Sequence, residues 1–296
     1  MNKMDKKPIT CPICQSSDCQ IVFSDKIRNG AFPNQEDGEI FKCSNCNTQF
    51  LGKTDNKINY QDNSYRESLN QEANIDSFRK HHDHLQLNLL SLIGTENIRN
   101  KSVLDIGCGG GSFLDNIKGL TNQISCVEPN IAFQKSLINS GYEVFNDIND
   151  INGKTYDLLT AFHVIEHVDD PVSFLKFISE KMHLGSRLII TTPNLNDILF
   201  STLYEYKQFF YRKAHNFYFD EISLRNLGNI ADLYCKKFTF KHRYSASNFF
   251  YWLKDKKPCG NKKFDGINYL FDKFWASYLE QFKISEMIAV EYVKNI

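Results

Sequence analysis

The sequence predicts an α/β protein, with an open and mostly parallel sheet preceded by a small segment that a metal ion holds together. From residue 101 onward, short apolar strands alternate with helical segments over short connections. Five of the nine cysteines fall within the first sixty residues, where long apolar runs are few. Strand–helix alternation is typical of a parallel sheet covered by helices on both faces. A cysteine-rich start indicates a separate, metal-stabilised unit.

The composition is that of an ordinary globular protein. The chain has 296 residues, of which 42% are hydrophobic and 24% are charged, so it can bury a sizeable core. Lys plus Arg and Asp plus Glu number 35 each, and this zero net charge argues against a general nucleic-acid binder, although a local basic patch stays open. There is no run of eighteen apolar residues and no apolar segment behind the N-terminal lysines. We therefore expect a cytoplasmic protein with no secretion signal and no membrane insertion.

Two cysteine pairs form the first motif. Cys11 and Cys14, then Cys43 and Cys46, give two C-x-x-C pairs separated by 28 residues. Each pair fits a tight turn that presents two thiolates to one tetrahedral zinc ion, and the aromatic strands between the pairs are typical of a zinc ribbon. Cys19 breaks the spacing and is left out of the ligand set. Because all four ligands are cysteines, the predicted zinc is structural.

The remaining elements follow in order along the chain. A polar linker runs from Tyr60 to about Phe78, and Leu85, Leu89 and Ile93 then recur at helical spacing. The predicted strands are 102–106, 123–127, 142–145, 156–162, 186–192, 235–244 and 284–293. The predicted helices are 112–117, 132–139, 171–182, 195–211, 221–233 and 267–282.

The glycine loop after the first core strand is the most informative segment. Asp105 ends the strand, and clustered glycines then lead into a helix whose N-terminus can bind an anion. A carboxylate at this position would repel a pyrophosphate but favours the sulfonium and ammonium groups of S-adenosylmethionine. Ser112 also replaces the third glycine of the dinucleotide motif. Glu128 ends the next strand, where an acid can accept hydrogen bonds from ribose hydroxyls, and Asp147 follows the third strand, near the expected adenine.

Four motifs together resemble the class I S-adenosylmethionine-dependent methyltransferases: LDIGCGGGSFL, CVEPN, YDLLTAFHVIEHVDDP and LIITTPN, in that order. The resemblance implies a Rossmann-like sheet of seven strands, the last antiparallel, with a zinc-ribbon domain in front. The expected boundaries are 1–58 for the ribbon, 59–100 for the linker and N-terminal helices, and 101–296 for the catalytic domain, with an insertion at about 195–220. The implied cofactor-binding residues are Asp105, Gly107, Cys108, Gly109, Gly111, Glu128, Pro129, Asp147, Phe162 and His163.

The histidine-rich loop after the fourth strand supplies the catalytic candidates. Its E-H-V-x-x-P ending resembles a branch that includes ubiquinone-biosynthesis O-methyltransferases and methyltransferases of sugar and surface-polysaccharide pathways. A histidine titrates near neutral pH and suits a general base, so we predict His163, His167 and His215 beside the acceptor. In the quinone group a Glu replaces His163 and the loop can hold a divalent cation. Here His163, Glu166 and His167 could share a metal if the loop were helical.

The favoured acceptor is a hydroxyl of a sugar or nucleotide-sugar in surface glycan synthesis, on resemblance alone. A C-methyltransferase acting on a keto-sugar, an RNA base methyltransferase that uses the ribbon to bind RNA, and a non-enzymatic binding module remain alternatives.

Two weaker signals lie outside these motifs. Tyr60 and Tyr65 either close over the cofactor or pack against the protein interior. A lysine cluster around Pro258 either clasps a phosphate or is a solvated loop. The acceptor and the oligomeric state are outside what the sequence determines.

Overall fold

An N-terminal sheet of short strands begins the structure, a computed structural model that describes residues 9–52, 58–70, 74–258, 260 and 262–294, without the side chains at 81, 84, 85 and 88. Its strands are β1 (Cys19–Arg28), β2 (Gln35–Cys43) and β3 (Gln49–Leu51). They pair antiparallel. Helix α1 (Ser64–Ser68), helix α2 (Ile75–Ile93) and a 3-10 turn at Thr95–Asn97 follow in the chain and lead to the central sheet.

A seven-stranded sheet flanked by helices forms the centre of the molecule. In chain order its strands and the elements between them are β4 (Ser102–Ile106), α3 (Ser112–Ile117), β5 (Gln123–Val127), α4 (Ile131–Asn139), β6 (Glu143–Phe145), β7 (Tyr156–Phe162), α5 (Pro171–Glu180), β8 (Met182–Pro193), α6 (Ile198–Thr202), α7 (Tyr204–Phe210), β9 (Phe217–Tyr218), α8 (Glu221–Ile230), β10 (Leu233–Lys241), α9 (Ala246–Asp255), α10 (Tyr269–Gln281) and β11 (Met287–Lys294). A further 3-10 turn covers Ile148–Asp150. The short strand β9 belongs to the N-terminal sheet, not to this one.

The strand order in this sheet is β10-β11-β8-β7-β4-β5-β6. Strands β4 to β8 are mutually parallel, and β11 runs antiparallel to both β8 and β10. The predicted fold class, a seven-stranded sheet with its last strand antiparallel, is therefore confirmed. Parallel central strands are buried on both faces, which is why their sequences are nearly continuous apolar runs.

Side-chain caps explain where several helices begin. Asp170 accepts hydrogen bonds from the backbone of Val172 and Ser173 at the start of α5, where Pro171 occupies the first helical position. Asp220 and Ser223 form a capping box at the start of α8. Both signals are local, so the sequence already marked these two starts.

Three predicted elements differ from the structure. The helix predicted over 195–211 is two helices, α6 and α7, because Leu203 between them adopts an extended backbone. The aromatic run beside the lysine cluster belongs to helix α9, an element that the sequence pattern did not predict. Its first turn is held by a tertiary contact, since the Ala246 N–H donates to Asp272 on α10. The segment from His163 to His167 is a turn and not a helix.

The N-terminal sheet shares its core with the rest of the chain. Strand β3 pairs antiparallel with β9, which lies beyond the insertion helices. Phe41 and Phe50 belong to the same buried cluster as Leu224 and Tyr292 of the central domain. None of the helices in the described part of the chain combines the length and apolar character that crossing a bilayer requires.

Candidate active site

The four cysteines of the two pairs converge on one point. Cys11 Sγ lies 3.6 Å from Cys46 Sγ, and Cys14 Sγ lies 3.5 Å from Cys43 Sγ, with all four sulfurs within 4.8 Å of one another. A tetrahedral zinc with bonds of about 2.3 Å would hold its sulfurs about 3.8 Å apart. The donor set and its spacing therefore fit zinc.

Both cysteine turns have the same backbone form. Gln15 and Asn47 each follow the second cysteine of a pair, and each has a positive φ, of 59° and 66°. The N–H of Gln15 donates to the Cys11 carbonyl, and the N–H of Asn47 donates to the Cys43 carbonyl. The two pairs are thus repeated turns that aim their sulfurs at one place, as a metal knuckle requires.

Asp105 lies at the carboxyl end of β4, buried to 2% exposure. Its carboxylate accepts a hydrogen bond of 2.6 Å from Thr160 Oγ1, on the neighbouring strand β7. Burial raises the pKa of Asp105 to about 7, against the effect of that hydrogen bond. A buried acid with no cation beside it is suited to a positively charged ligand.

Glu128 stands at the end of β5 and faces the same loop. Its carboxylate accepts hydrogen bonds from the backbone N–H of Gly109, at 2.7 Å, and of Asn130, at 2.8 Å. Burial nevertheless raises its pKa. Gly109 has a φ of +57°, and a Cβ there would come within 2.7 Å of the Phe78 ring. The loop therefore needs glycine both for its backbone and for its close packing.

One large cavity joins these groups to the histidine loop. It measures about 1260 Å³ and is lined by residues of the N-terminal sheet, the glycine loop and the insertion. The predicted cofactor-binding residues that line it are Asp105, Gly107, Cys108, Gly109, Glu128, Pro129, Asp147, Phe162 and His163. Gly111 is not among the lining residues; its φ of +81° and its tight approach to Leu137 place it in the turn that starts α3.

Asp147 and Phe162 both line this cavity. Asp147 is exposed and its carboxylate caps the 3-10 turn at Ile148–Asp150 by accepting from the Asn149 N–H. Phe162 ends β7 and packs edge-on against Phe113 at 5.0 Å between ring centroids. Glu128 lines the same cavity as these two residues.

The histidine loop holds Glu166 in a fully enclosed position. Glu166 is 1% exposed, and one carboxylate oxygen lies 3.3 Å from His163 Nδ1 while the other has no hydrogen-bond partner. Burial favours a higher pKa for Glu166, but the hydrogen bond and charge of His163, with His167, outweigh it and lower the pKa. His163 Nε2 is also buried without a partner.

His167 and His215 meet in the same part of the cavity, although 48 positions separate them in the sequence. Their rings pack edge-on at 4.7 Å between centroids. Ligand atoms of Glu166, His167 and His215 lie within 4.8 Å of one another, so these three could hold a metal. His163 is not part of this group, so the trio predicted at i, i+3 and i+4 is not the set that the structure brings together.

Hydrogen bonds fix the orientation of His167. Its Nδ1 lies 2.7 Å from the carbonyl oxygen of Ala214 and 2.9 Å from the Tyr60 hydroxyl. A carbonyl can only accept, so Nδ1 carries the proton and Nε2 is left to act as an acceptor. Tyr65 packs edge-on against the Tyr60 ring and the His167 ring. Both linker tyrosines therefore lie on the histidine loop.

The surroundings of both histidines favour the neutral imidazole. Burial lowers the pKa of His167, although Glu166 opposes the effect. Burial and then the positive charge of Arg212 lower the pKa of His215 well below its usual range. A buried neutral imidazole can take a proton from an acceptor without first losing one of its own.

Sequence reasoning missed the arginines around the cavity. Arg66 on α1 lies between two rings, with its guanidinium carbon 4.7 Å from the Phe78 centroid and 4.4 Å from that of Phe133. Arg243 forms a two-pronged ion pair with Glu286, which is 6% exposed. No motif marks these residues, because tertiary packing alone decides which arginines are enclosed. The five lysines near Pro258, in contrast, are all exposed.

Comparison with known proteins decides the family. Residues 78–236, more than half of the chain, match the family described as "Methyltransferase domain". The chain belongs to this methyltransferase family. The resemblance on which the cofactor prediction rested is thereby confirmed at the level of the family.

Two curated relatives of this methyltransferase are about equally similar to it. The chain is 30% identical over 122 residues to the ubiquinone biosynthesis O-methyltransferase of Vibrio atlanticus, a match covering 38% of this chain and 51% of that protein. It is 30% identical over 103 residues to the mitochondrial ubiquinone biosynthesis O-methyltransferase of Schizosaccharomyces pombe, covering 31% and 38%. The chain thus spans about half, or less, of the length of these curated relatives.

A solved structure shows the same fold. A chain of the complex that contains the Haloferax volcanii Trm112 methyltransferase activator matches this methyltransferase with a TM-score of 0.52 and 11% identity. The match covers 75% of this chain and 94% of that chain. At this identity the likeness concerns the fold alone.

Proposed function

We propose that this chain transfers the methyl group of S-adenosylmethionine to a hydroxyl of a small-molecule acceptor. The observation that supports this most is the pair of buried carboxylates, Asp105 and Glu128, on either side of one glycine loop at the edge of the large cavity. Both have pKa values raised by burial. A cationic ligand would restore their charged forms, whereas a pyrophosphate would be repelled.

The residues present fit the cofactor in a definite way. Asp105 would face the ammonium and sulfonium end, and Glu128 would accept from the ribose hydroxyls, with Asp147 and Phe162 near the base. Gly107 and Gly109 leave the backbone open where a side chain would otherwise fill the space. When bound, the cofactor supplies an electrophilic methyl carbon with a good leaving group.

The histidine loop performs the protein's part of the chemistry. His167 Nε2 would accept the proton of the acceptor hydroxyl, and the bound cofactor would supply the methyl group that this oxygen receives. Tyr60 and the Ala214 carbonyl hold the imidazole in position from its other side. Alignment contributes most of the rate, and a general base adds a factor on the order of 10²–10⁴. His215 packs on His167 and lines the same space.

A sugar or nucleotide-sugar hydroxyl remains our preferred acceptor, in line with the expectation from the sequence. The cavity is large enough for a cofactor and a second molecule of similar size, at about 1260 Å³. An aromatic hydroxyl is the second candidate. The insertion and α9 line the cavity with Tyr206, Phe209, Phe210 and Trp252, and the two curated relatives bear the name of ubiquinone biosynthesis.

We also propose that Cys11, Cys14, Cys43 and Cys46 hold a structural zinc ion. Four cysteine ligands leave no open position for a substrate. The site would stabilise the short strands of the N-terminal sheet, which contribute to the wall of the cavity through Phe50 and Leu51.

Calorimetric titration tests the cofactor assignment. The protein should bind S-adenosylmethionine and S-adenosylhomocysteine, and it should not bind a nicotinamide or flavin dinucleotide. Incubation with radiolabelled S-adenosylmethionine and separate panels of nucleotide-sugars, phenols and RNA then identifies the acceptor class, and mass spectrometry of the product separates O-methylation from C-methylation. Binding of a dinucleotide without binding of the sulfonium compound would overturn the proposal.

A further inference from the structure

Two arginines beside the cavity have no acidic partner. Arg28 ends β1, and Arg212 follows the insertion helix α7. The Nε atoms of both side chains are buried and make no hydrogen bond. Among the residues that the structure describes, neither guanidinium takes part in an ion pair. Both residues are partly buried as a whole, and arginines in such positions are ordinarily neutralised by a carboxylate, because removing an unpaired charge from water is costly.

The backbone holds these two arginines side by side. The Arg28 N–H donates to the Tyr211 carbonyl, the Lys213 N–H donates to the Arg28 carbonyl, and the two segments form a parallel bridge at Arg28 and Arg212. The Tyr218 hydroxyl both accepts from the Arg212 N–H and donates to the Arg212 carbonyl. The backbone of the two arginines is therefore held in adjacent positions by hydrogen bonds.

The like charges act on each other. Burial and then the charge of Arg212 lower the pKa of Arg28 to about 9. The guanidinium of Arg28 is stacked on Phe209, with its carbon 4.3 Å from the ring centroid. This stacking supports the flat side chain but cannot cancel the repulsion from Arg212.

Two neighbouring basic residues, Lys213 and Arg243, do have acidic partners. Lys213 is adjacent to Arg212 and forms an ion pair of 2.5 Å with Glu36 of β2. Arg243, also at the cavity, is neutralised by Glu286 through two hydrogen bonds. The fold thus supplies acids to the nearby lysine and to the third arginine, but none to Arg28 and Arg212.

Arg212 lines the cavity, and Arg28 is stacked on a ring that lines it. Arg212 lines the cavity together with Tyr65 and Tyr244, and it also lines a smaller adjoining cavity of about 240 Å³. Phe209, on which Arg28 is stacked, is another lining residue. The charge of Arg212 contributes to the lowered pKa values of His167 and His215, which line the same cavity.

We propose that Arg28 and Arg212 bind a phosphate group of the acceptor. Two guanidinium groups from adjacent chain segments would donate hydrogen bonds to a tetrahedral, doubly charged group from different sides. A single planar carboxylate would accept fewer of these hydrogen bonds. The acceptor would then be a phosphate ester or diphosphate, and the N-terminal sheet would contribute to its recognition through Arg28. This inference rests on the proposed methyl transfer and specifies its substrate class.

The test is a calorimetric titration of the zinc-loaded protein, saturated with S-adenosylhomocysteine, with sodium pyrophosphate in a phosphate-free buffer. Malonate, a dicarboxylate, is titrated in parallel. We expect pyrophosphate to bind more tightly than malonate. Arg28→Gln and Arg212→Gln should each weaken its binding about tenfold or more, and Lys26→Gln, an exposed charge on the same strand, should leave it unchanged. Zinc content is measured after each titration.

Arg28→Lys and Arg212→Lys form a second pair that retains the positive charge but removes the planar fork, and both should weaken pyrophosphate binding. The proposal is overturned if the wild-type protein does not bind pyrophosphate, if malonate binds more tightly, or if both glutamine variants bind as the wild type does. Affinity for S-adenosylhomocysteine should be the same in the wild type and all five variants. A failure to bind S-adenosylhomocysteine at all would instead contradict the proposed function.

Discussion

At the scale of single residues, Asp105 is placed for binding at the expense of stability. Its carboxyl is buried at the end of β4 and hydrogen-bonded only to Thr160 among the described residues. Because burial raises its pKa from 3.8 to about 7, the folded protein holds a proton that the unfolded chain would release between those values. The contribution of Asp105 to stability therefore becomes less favourable as pH rises through this window.

We predict that Asp105→Asn stabilises the ligand-free protein and impairs cofactor binding. The amide keeps an oxygen for Thr160 and has no charge to desolvate, so Tm should rise by roughly 2–4 °C. Affinity for S-adenosylmethionine should fall roughly 30-fold or more, since the ligand's cation loses its partner. Differential scanning calorimetry and titration calorimetry measure the two effects, with Asp265→Asn as an exposed control. Unchanged affinity would contradict the assignment of Asp105.

The same carboxyl predicts how cofactor affinity depends on pH. A cationic ligand binds the ionised form, and below about pH 7 that form must first lose a proton. Affinity should therefore fall as pH decreases below 7, approaching about tenfold per pH unit, and should level off above it. Titrations of the wild type and Asp105→Asn with S-adenosylmethionine between about pH 5.5 and about pH 8.5 check this. The affinity of the variant should not change with pH.

Replacing His167 or His215 should lower turnover more than it lowers cofactor affinity. His215 is buried and His167 is partly buried, the pKa values of both are lowered chiefly by burial, and His167 is oriented by Ala214. His167→Ala should lower kcat by a factor on the order of 10²–10⁴, and His215→Ala should also lower it, with little change in S-adenosylhomocysteine affinity. His183→Ala, on the exposed start of β8, is the control. Wild-type turnover in both variants would exclude them as bases.

At the scale of elements, the glycine loop and helix α2 pack so closely that a larger residue in the loop would clash with the helix. A Cβ at Gly109 would approach Phe78 of α2 within 2.7 Å, whereas Gly153, also at positive φ, has open space around it. Gly153→Ala should cost only backbone strain, about 1 kcal/mol. Gly109→Ala should cost about 1–3 kcal/mol more from overpacking. Urea denaturation of both variants measures the difference, and equal losses would show that the contact with Phe78 is unimportant.

The elements that the sequence predicted well are those with local signals. Strand β4, helix α3 and strand β7 have the predicted bounds, because an apolar run followed by glycine or by a capping residue specifies them locally. Helix α9 was missed because its first N–H group is satisfied by Asp272, on another helix. The two-residue strand β9 exists only through its pairing with β3.

At the scale of the whole molecule, the N-terminal sheet and the central domain form one folded body. β3 pairs with β9, Asn47 donates to Asp220 at the start of α8, and Tyr211 donates to Gln49. We therefore predict that removing the proposed zinc with a chelator lowers the Tm of the entire chain in one transition. Calorimetry with and without chelator checks this, with zinc content assayed in parallel.

Two separate unfolding transitions, with only the first responding to the chelator, would show that the two parts fold independently. An identical Tm in zinc-loaded and chelated protein would exclude a structural zinc. The predicted boundaries, 1–58, 59–100 and 101–296, stay a prediction in either case, since they concern how the chain divides and not only how it packs.

The sequence by itself determined the family, the alternation of strands and helices, and the positions of Asp105 and Glu128 at strand ends beside the glycine loop, because these depend on neighbours a few residues apart. Tertiary structure decided which histidines meet and which cations stay unpaired. His167 and His215 come together, and Arg28 reaches Arg212, only because the N-terminal sheet folds against the insertion. Burial and charge balance are properties of the assembled surroundings, so no local pattern could have shown that these two arginines lack an acid.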